Sequence, residues 1–183
     1  MIEKIMRVIR SLWLHIKLGK RLKTNGFQNI RMGNEVIVGN QGSLYLGNGV
    51  TALQRVTLSV YGGHMSIGDH VGINRNCMFV CRDKISIGDR CAFGPNVVIF
   101  DHDHLFDETG YQMDQIITSP VEIGSKCWIG ANVTILRGAI IGEGSIIGAG
   151  TLVKGIIPPY SLVTSDRVVK IRELKRKNGV PKG

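Results

Sequence analysis

The sequence has few prolines and no long apolar run. Only 5 prolines stand beside 24 glycines in 183 residues, so the high glycine content does not indicate collagen or a low-complexity segment. No uninterrupted apolar stretch approaches the length of about 18 residues at which a membrane-spanning helix is considered. The opening residues interleave apolar side chains with Lys and Arg and form no signal-peptide core. We therefore expect one cytoplasmic domain with a substantial hydrophobic core.

Cysteine pairs with the spacing of metal ligands are also missing. The four cysteines stand at 77, 81, 91 and 127, and none forms a Cys-x2-Cys pair. A zinc ribbon is therefore not expected. Reduced thiols fit a cytoplasmic location.

Acidic residues are scarce at both ends of the chain. Residues 1–31 carry a net charge of +7 and residues 167–183 carry +6, whereas residues 32–166 carry −4. A nucleic-acid-binding domain normally places its basic residues on the folded body, which is the reverse of this distribution. We expect no nucleic-acid partner, whereas an anionic membrane surface or a phosphorylated ligand fits the charge.

An aliphatic residue recurs every six positions over much of the chain. In the last third the recurrence runs through Ile123, Ile129, Ile135, Ile141, Ile147 and Val153. The same spacing returns over residues 67–79 and 87–99, with weaker echoes between 32 and 58. A period of six matches neither an α-helix nor simple alternation. It matches a short strand plus a turn, three of which close a triangular coil of about 18 residues.

This period predicts an all-β fold, a parallel β-helix whose regularly spaced aliphatic side chains point into a triangular prism. Gly, Asn and Asp would take the corners. Without one long loop, residues 32–157 supply about six coils. Cys77, Cys91 and Cys127 fall on a small inward position and are expected in the core, whereas Cys81 lies off this register, which leaves an exposed position open for it.

One insertion interrupts the repeat between Ile99 and Ile123. Residues 101–120 are therefore expected to leave the prism as an extruded loop. This loop contains His102 and His104 together with five acidic residues. Long loops in compact repeat proteins commonly carry function.

Both ends of the chain predict helices outside the prism domain, which we place at residues 32–165. In residues 1–31 the apolar side chains follow the i, i+3, i+4 spacing of an amphipathic helix, with basic residues on the other face. This helix either packs on the first coil or a neighbouring subunit, or makes a peripheral contact with an anionic membrane. Residues 166–183 predict a short basic C-terminal helix or tail.

Two segments resemble the hexapeptide-repeat acyltransferases. They are Trp128-Ile129-Gly130-Ala131-Asn132 and the stretch from Ile147 to Val153 followed by Pro158-Pro159. The resemblance covers residues 32–175 and is greatest to the maltose/galactoside and surface-polysaccharide sugar O-acetyltransferases. It implies a left-handed parallel β-helix, acetyl-CoA as cosubstrate with no metal, a sugar or glycan acceptor, and a homotrimer with active sites at subunit interfaces.

In that family the general base is a histidine at the start of the extruded loop, where this chain has Asp101-His102. The resemblance therefore implies His102 as the base, with His104 as a second candidate. A sugar hydroxyl is a poor nucleophile near neutral pH, and an imidazole with an ordinary pKa of about 6.5 can take its proton during attack. Asp101 and Asp103 are both open as the group that orients the ring.

The resemblance also implies residues for the acceptor and the acyl donor. Asn74 matches an asparagine that faces the acceptor hydroxyl, and an amide near Ala131 would stabilise a developing oxyanion. The positions that match acyl-donor contacts are Trp128, Ala131, Ala149, Lys154 and Arg172.

We expect an acetyl-CoA-dependent O-acetyltransferase of a sugar hydroxyl, active in bacterial surface polysaccharide biosynthesis and located in the cytoplasm or at the inner face of the membrane. The alternatives are a xenobiotic or antibiotic O-acetyltransferase, a non-catalytic β-helix binding module, and a metal hydrase like the gamma-class carbonic anhydrases. The hydrase needs three histidines around one ion, and the candidates are His64, His70, His102 and His104.

Overall fold

The computed structural model describes residues 2–108 and 110–165. The C-terminal helix expected at 166–183, and with it Arg172, lies outside the described residues. One helix at the start, one short 3-10 turn and many short strands make up the regular structure of the described part.

Three flat sheets form the sides of a triangular prism. The first face contains β1 Leu22–Thr24, β4 Ser43–Leu46, β7 His64–Ile67, β10 Lys84–Ile87, β15 Val121–Ile123, β18 Ile140–Ile141 and β21 Ile156–Ile157. The second face contains β2 Asn29–Ile30, β5 Thr51–Ala52, β8 Gly72–Ile73, β11 Ala92–Phe93, β16 Trp128–Ile129, β19 Ile146–Ile147 and β22 Leu162–Val163. The third face contains β3 Glu35–Val38, β6 Thr57–Val60, β9 Met78–Cys81, β12 Val98–Phe100, β17 Thr134–Ile135 and β20 Leu152–Val153. The chain visits the faces in order through about six turns, which confirms the predicted left-handed parallel β-helix.

Inward side chains from successive coils stack in register. On the first face Ile87 pairs with Ile123, and Ile123 pairs with Ile141. The six aliphatic residues of the sequence repeat from Ile123 to Val153 are all buried, so the six-residue period does mark the core. Each such side chain contributes about 1.5–3 kcal/mol by leaving water.

The four cysteines all lie inside the prism. Cys77, Cys91 and Cys127 occupy the small inward position, as predicted. An exposed position for Cys81 is excluded, because its side chain is 0% exposed. Cys81 follows the buried Phe79 by two residues on β9, and alternate side chains of a strand point to the same side.

The chain turns at three corners. We call the link from the first to the second face the first corner, from the second to the third the second corner, and from the third to the next first face the third corner. At the second corner Asn96 and Asn132 have φ angles of 59° and 57°, which asparagine tolerates better than most residues. Nδ2 of Asn96 donates to Oδ1 of Asn132 at 3.0 Å, so amide bonds tie successive coils together.

The insertion in the repeat forms a β-hairpin at the third corner. Its strands are β13 His102–Asp107 and β14 Gly110–Thr118, and they pair antiparallel. The hairpin leaves the prism after β12, and the chain re-enters the prism at β15. Residues 101–120 are therefore extruded as expected, but with a regular strand pair in place of an irregular loop.

Helix α1, Ile2–Leu18, covers the open end of the first coil. Leu14 and Leu18 are buried against the prism. Nη2 of Arg10 donates to the carbonyl of Asn34 at 2.7 Å, and Nε2 of His15 lies 3.1 Å from Oγ1 of Thr24. Of the roles that the sequence left open for this segment, packing on the first coil is therefore present.

The prism begins earlier than the boundary drawn from the sequence. A 3-10 turn, Gly19–Arg21, leads directly into β1, whose Leu22 pairs with Leu44. The first coil thus starts ten residues before position 32. The sequence did not reveal this start, because the buried Leu22 and Ile30 are eight residues apart and not six. Within the described residues, no helix is long and apolar enough to cross a membrane.

Candidate active site

A buried carboxylate lies at the third corner, where β12 ends and the hairpin begins. Asp101 is 0% exposed. Its two oxygens accept the backbone N–H of Arg82 at 2.9 and 3.0 Å, and Oδ2 also accepts the N–H of Asp83 at 2.8 Å. Arg82 and Asp83 form the same corner one coil earlier, so the turn of one coil fixes the side chain of the next. A buried carboxylate needs such partners.

The same carboxylate holds the ring of the neighbouring histidine. Nδ1 of His102 lies 3.0 Å from Oδ1 of Asp101, and the imidazole side chain is 13% exposed. The ring also packs edge-on against Phe100, with 5.7 Å between the centroids. Because a carboxylate only accepts hydrogen bonds, Nδ1 carries the proton of the neutral ring and Nε2 keeps its lone pair. This arrangement prepares Nε2 to accept a proton.

The second histidine and the second aspartate of the loop have different surroundings. His104 is exposed on β13 and its ring meets Tyr111 edge-on at 5.2 Å. Oδ2 of Asp103 accepts a hydrogen bond from Nε of Arg137 at 2.6 Å. Of the two aspartates that the sequence left open, Asp101 is therefore the one that contacts His102.

A buried thiol lies behind the carboxylate. Burial raises the pKa of the Cys81 thiol, and the negative charge of Asp101 and a hydrogen bond with it raise that pKa further. A thiol that holds its proton is not a nucleophile. Cys81 therefore belongs to the packing around Asp101 and not to the reacting groups.

Basic residues border the third corner on both sides of His102. Cζ of Arg82 lies 5.2 Å from the ring centroid of Tyr61, one coil earlier. Arg137 and Lys154 follow β17 and β20, which places them at this corner one and two coils later. Of this group, only Lys154 was expected from the sequence. The missed signal was that each of these residues lies within two residues after a strand of the third face, which is visible only once the strands have been assigned to faces.

Three other predicted site residues lie at the second corner. Asn74, Ala131 and Ala149 each follow a strand of the second face, and Oδ1 of Asn74 accepts the N–H of Arg75 at 2.8 Å. The coils approach closely here, since a Cβ atom on Gly130 would lie 2.7 Å from the nitrogen of Ala149. Glycine at position 130 therefore lets the two coils stack closely at this corner, and the side chains of Ala131 and Ala149 are only methyl groups.

The second and third corners are at opposite ends of the third-face strands. The four residues of β9 alone span about 13 Å, so one chain does not bring Asn74 or the two alanines to His102. Trp128 lies on the second face with 58% of its surface exposed. The structure thus places His102, Asp101 and Lys154 along one edge. Trp128, Asn74 and the two alanines lie on another part of the surface.

The histidines considered for a metal site are also dispersed. His64 lies on the first face, with Nδ1 2.7 Å from Oγ of Ser43, and His70 lies at a first corner with a φ of 57°. Among the described residues no group of three His, Cys, Asp or Glu side chains could hold a metal ion. A hydrase site is therefore not assembled within the described part of one chain.

Comparisons with known proteins agree with the fold. The family model described as "Bacterial transferase hexapeptide (six repeats)" matches residues 120–155. The protein Rv3034c of Mycobacterium tuberculosis, named as a probable acetyltransferase, is 36% identical over 135 residues, which are 72% of this chain and 45% of that protein. This chain therefore spans about half the length of that relative.

A relative of more similar length is SAR2635 of Staphylococcus aureus, whose name provisionally calls it an acetyltransferase. It is 34% identical over 140 residues, which cover 72% of this chain and 67% of that protein. A solved structure of AntD, an N-acyltransferase from Bacillus cereus in complex with dTDP and 3-hydroxybutyryl-CoA, superposes with a TM-score of 0.69 at 20% identity, covering 90% of this chain and 88% of AntD. At that identity the superposition establishes the fold alone. Together, the repeat, the prism and the relatives show that this chain belongs to the hexapeptide-repeat acyltransferase family.

Proposed function

We propose that this protein is an acetyl-CoA-dependent O-acetyltransferase that acylates a sugar hydroxyl, with His102 as the general base. The observation that carries this proposal is the contact of His102 Nδ1 with the buried Asp101 carboxylate. The side chain of His102 is an imidazole held in one tautomer at the base of the extruded hairpin. Activation of a hydroxyl requires a group of this kind. His104 is exposed and contacts no carboxylate in this way among the described residues, so it is the weaker candidate.

The proposed reaction is a direct transfer. Nε2 of His102 takes the proton of the acceptor hydroxyl as its oxygen forms a bond to the thioester carbonyl carbon. The carbon–sulfur bond then breaks, and the imidazolium returns the proton to the departing thiolate. Asp101 stabilises the imidazolium between these two steps. No cysteine acyl-enzyme is needed, and the four thiols are buried in the prism.

The residues at the second corner fit an extended acyl-coenzyme arm. Ala131 and Ala149 have no side chain beyond Cβ and lie on adjacent coils, and the amide of Gly150 reaches the carbonyl of Ala131 at 2.8 Å. The exposed ring of Trp128 lies beside them on the second face and offers apolar contact. In this proposal they bind the acyl donor, Lys154 and Arg172 contact its phosphates, and Asn74 faces the acceptor hydroxyl.

The proposal includes a side-by-side homotrimer. Because the second corner of one chain is remote from its own His102, a neighbouring chain has to present that corner to the His102 edge. A closed threefold ring supplies three such pairings from one repeated interface. Active sites between subunits follow directly from this arrangement.

The acceptor is proposed to be a phosphate-linked sugar of surface polysaccharide biosynthesis in the cytoplasm. Arg82 and Arg137 lie at the edge on either side of His102, where guanidinium groups suit phosphate oxygens. AntD, which shares the fold, was solved with dTDP. The exposed ring of Tyr61 lies under the guanidinium of Arg82. This pair offers a flat surface on which a sugar or a base can pack.

Turnover of acetyl-CoA by the full chain tests this function. Thiol release would be followed with a panel of nucleotide-linked sugars, lipid-linked sugars, free sugars, amino sugars and chloramphenicol. We expect turnover with a phosphate-linked sugar and a loss of at least 100-fold in the His102→Ala variant, with the matched His104→Ala variant within about tenfold of wild type.

Other results would replace the proposal. Preference for an amino sugar would contradict hydroxyl transfer, and preference for chloramphenicol would favour the xenobiotic class. Binding of a glycan without turnover would favour a non-catalytic module. Hydration of carbon dioxide that depends on added zinc would favour the hydrase.

A further inference from the structure

Helix α1 has two apolar stripes on opposite sides, and the prism covers only one of them. Leu14 and Leu18 are buried at 2% and 3% exposure. Ile16 stands two residues from each, which is roughly 200° around a helix, and it is 84% exposed. The second stripe, hereafter the free stripe, consists of Ile5, Ile9, Leu12 and Ile16, all exposed.

The free stripe faces away from the prism along its axis. α1 lies across the end of the first coil, where its inner side meets the inward residues Leu22, Ile30 and Leu46. The opposite side of the helix therefore points outward from that end. Copies of the chain arranged side by side, as proposed above, would pack through the prism faces and leave the free stripe uncovered.

Basic side chains border the free stripe. Cζ of Arg10 lies 4.7 Å and Nζ of Lys17 lies 4.9 Å from the ring centroid of Trp13, on one margin of the stripe. Residues 1–31 carry a net charge of +7, whereas residues 32–166 carry −4. An apolar stripe with an aromatic and cationic margin is the pattern of a helix that lies in a membrane interface.

We propose that the free stripe of α1 binds the surface of an anionic phospholipid bilayer and stands the prism on it by its first coil. Charge selects this occupant over a second copy of the same helix, because two such segments would bring like charges together. The negative bilayer attracts the segment 1–31 and repels the net acidic body. Binding of this kind does not depend on catalysis, so the result of a membrane-binding experiment is independent of the identity of the acceptor.

Vesicle co-sedimentation of the full chain tests the proposal. The probes are vesicles of phosphatidylcholine alone and vesicles of phosphatidylcholine and phosphatidylglycerol in a 3:1 ratio. We expect binding to the mixed vesicles to be at least tenfold tighter, and to weaken when the salt concentration is raised from 0.1 to 0.5 M.

The matched variants are two double substitutions of exposed apolar residues. Ile9→Ala with Ile16→Ala removes part of the free stripe while keeping a strong helix former, and we expect at least a tenfold loss of vesicle binding. Phe106→Ala with Met113→Ala makes a comparable change on the hairpin, where both side chains are exposed, and it should bind like wild type. Circular dichroism at 222 nm checks that the helix is retained.

Three results would overturn the proposal. They are equal binding to both kinds of vesicle, loss of binding in the hairpin variant as large as in the stripe variant, and absence of binding by the wild type. If the wild type does not bind, the Ile9→Ala, Ile16→Ala variant would be compared with it by size-exclusion chromatography. A smaller species for the variant would assign the free stripe to an interface between copies of the chain.

Discussion

Nδ1 of His102 lies 3.0 Å from Oδ1 of Asp101, the residue directly before it in the chain. Successive side chains of a strand normally point to opposite sides, so this contact requires the bend between β12 and the hairpin. The amides of Arg82 and Asp83 hold the carboxylate from the preceding coil. Asp101 is therefore a positioning residue for His102 whose own position depends on the stacking of two coils.

Replacement of Asp101 by Asn tests this role. An amide at this position can donate to Nδ1 and stabilise the tautomer with the proton on Nε2, which cannot accept one. We expect kcat to fall by about 10²–10⁴-fold with KM for the acyl donor nearly unchanged.

The control for this change is Asp103→Asn. That carboxylate is paired with Arg137 on the surface, and its loss should cost less than about tenfold. A parallel fall of kcat in both variants, or an unfolded Asp101→Asn protein by circular dichroism, would contradict a specific positioning role.

Mixed assemblies test whether neighbouring subunits share a site. His102→Ala lacks the base. Ala131→Trp places a large side chain at the second corner, where the acyl donor is proposed to bind. If each site combines the third corner of one chain with the second corner of another, equal co-assembly of the two inactive variants should restore about one quarter of the wild-type sites. Thiol release after co-refolding measures the recovery, and no recovery would place both halves within one chain.

The asparagine corners predict an order of stability. Asn96 has a φ of 59° and bonds both Asn76 and Asn132. Asn96→Gly keeps the backbone conformation but loses the two amide bonds, whereas Asn96→Ala also adds left-handed strain of about 1–2 kcal/mol. In urea denaturation the wild type should therefore be the most stable, Asn96→Gly less stable and Asn96→Ala the least stable. Equal stability of the two variants would show that the corner relaxes.

The core thiols predict a loss of stability at alkaline pH. Burial raises the pKa of Cys77. Once the pH exceeds the ordinary thiol pKa of about 8.5, the unfolded chain releases this proton while the folded chain keeps it. The free energy of unfolding then falls by up to about 1.4 kcal/mol per pH unit for this thiol, and its contribution is fully present below pH 8.

Cys77→Val isolates that contribution. Valine occupies the equivalent inward positions Val56 and Val97 on the coils on either side, so the substitution fits the core. Between pH 8 and pH 10 the wild type should lose more stability than the variant, as measured by urea denaturation at the two pH values. Equal losses would mean that the thiol does not titrate on unfolding.

Much of the fold was predictable because the period of six directly reports which side chains point inward. The first coil escaped prediction, since Leu22 and Ile30 are buried without the regular spacing of later coils. Cys81 was also misjudged, because the four-residue strand β9 contains two inward residues where a two-residue strand such as β17 contains one. Hexapeptide counting describes the short strands well and fails where strands have four residues.

The candidate site was predictable only in part. The break in the repeat located the loop, and family resemblance singled out His102 within it. Arg82 and Arg137 were not found, since they lie at this edge through stacking of coils of unequal length. The position of a residue along such an edge cannot be read from its distance in sequence.

By itself the sequence determined the parallel β-helix and its core, the extruded segment and the amphipathic first helix, because hydrophobic periodicity is a local property of the chain. Only the tertiary structure decided that Asp101 and not Asp103 faces His102, and that Ala131 and Ala149 lie on a different corner from His102. Both depend on where the backbone bends after a strand and on which coil lies above or below. The contacts that fix these positions, such as those of Arg82 and Asp83 with Asp101, join residues about one coil apart, and no local pattern encodes them.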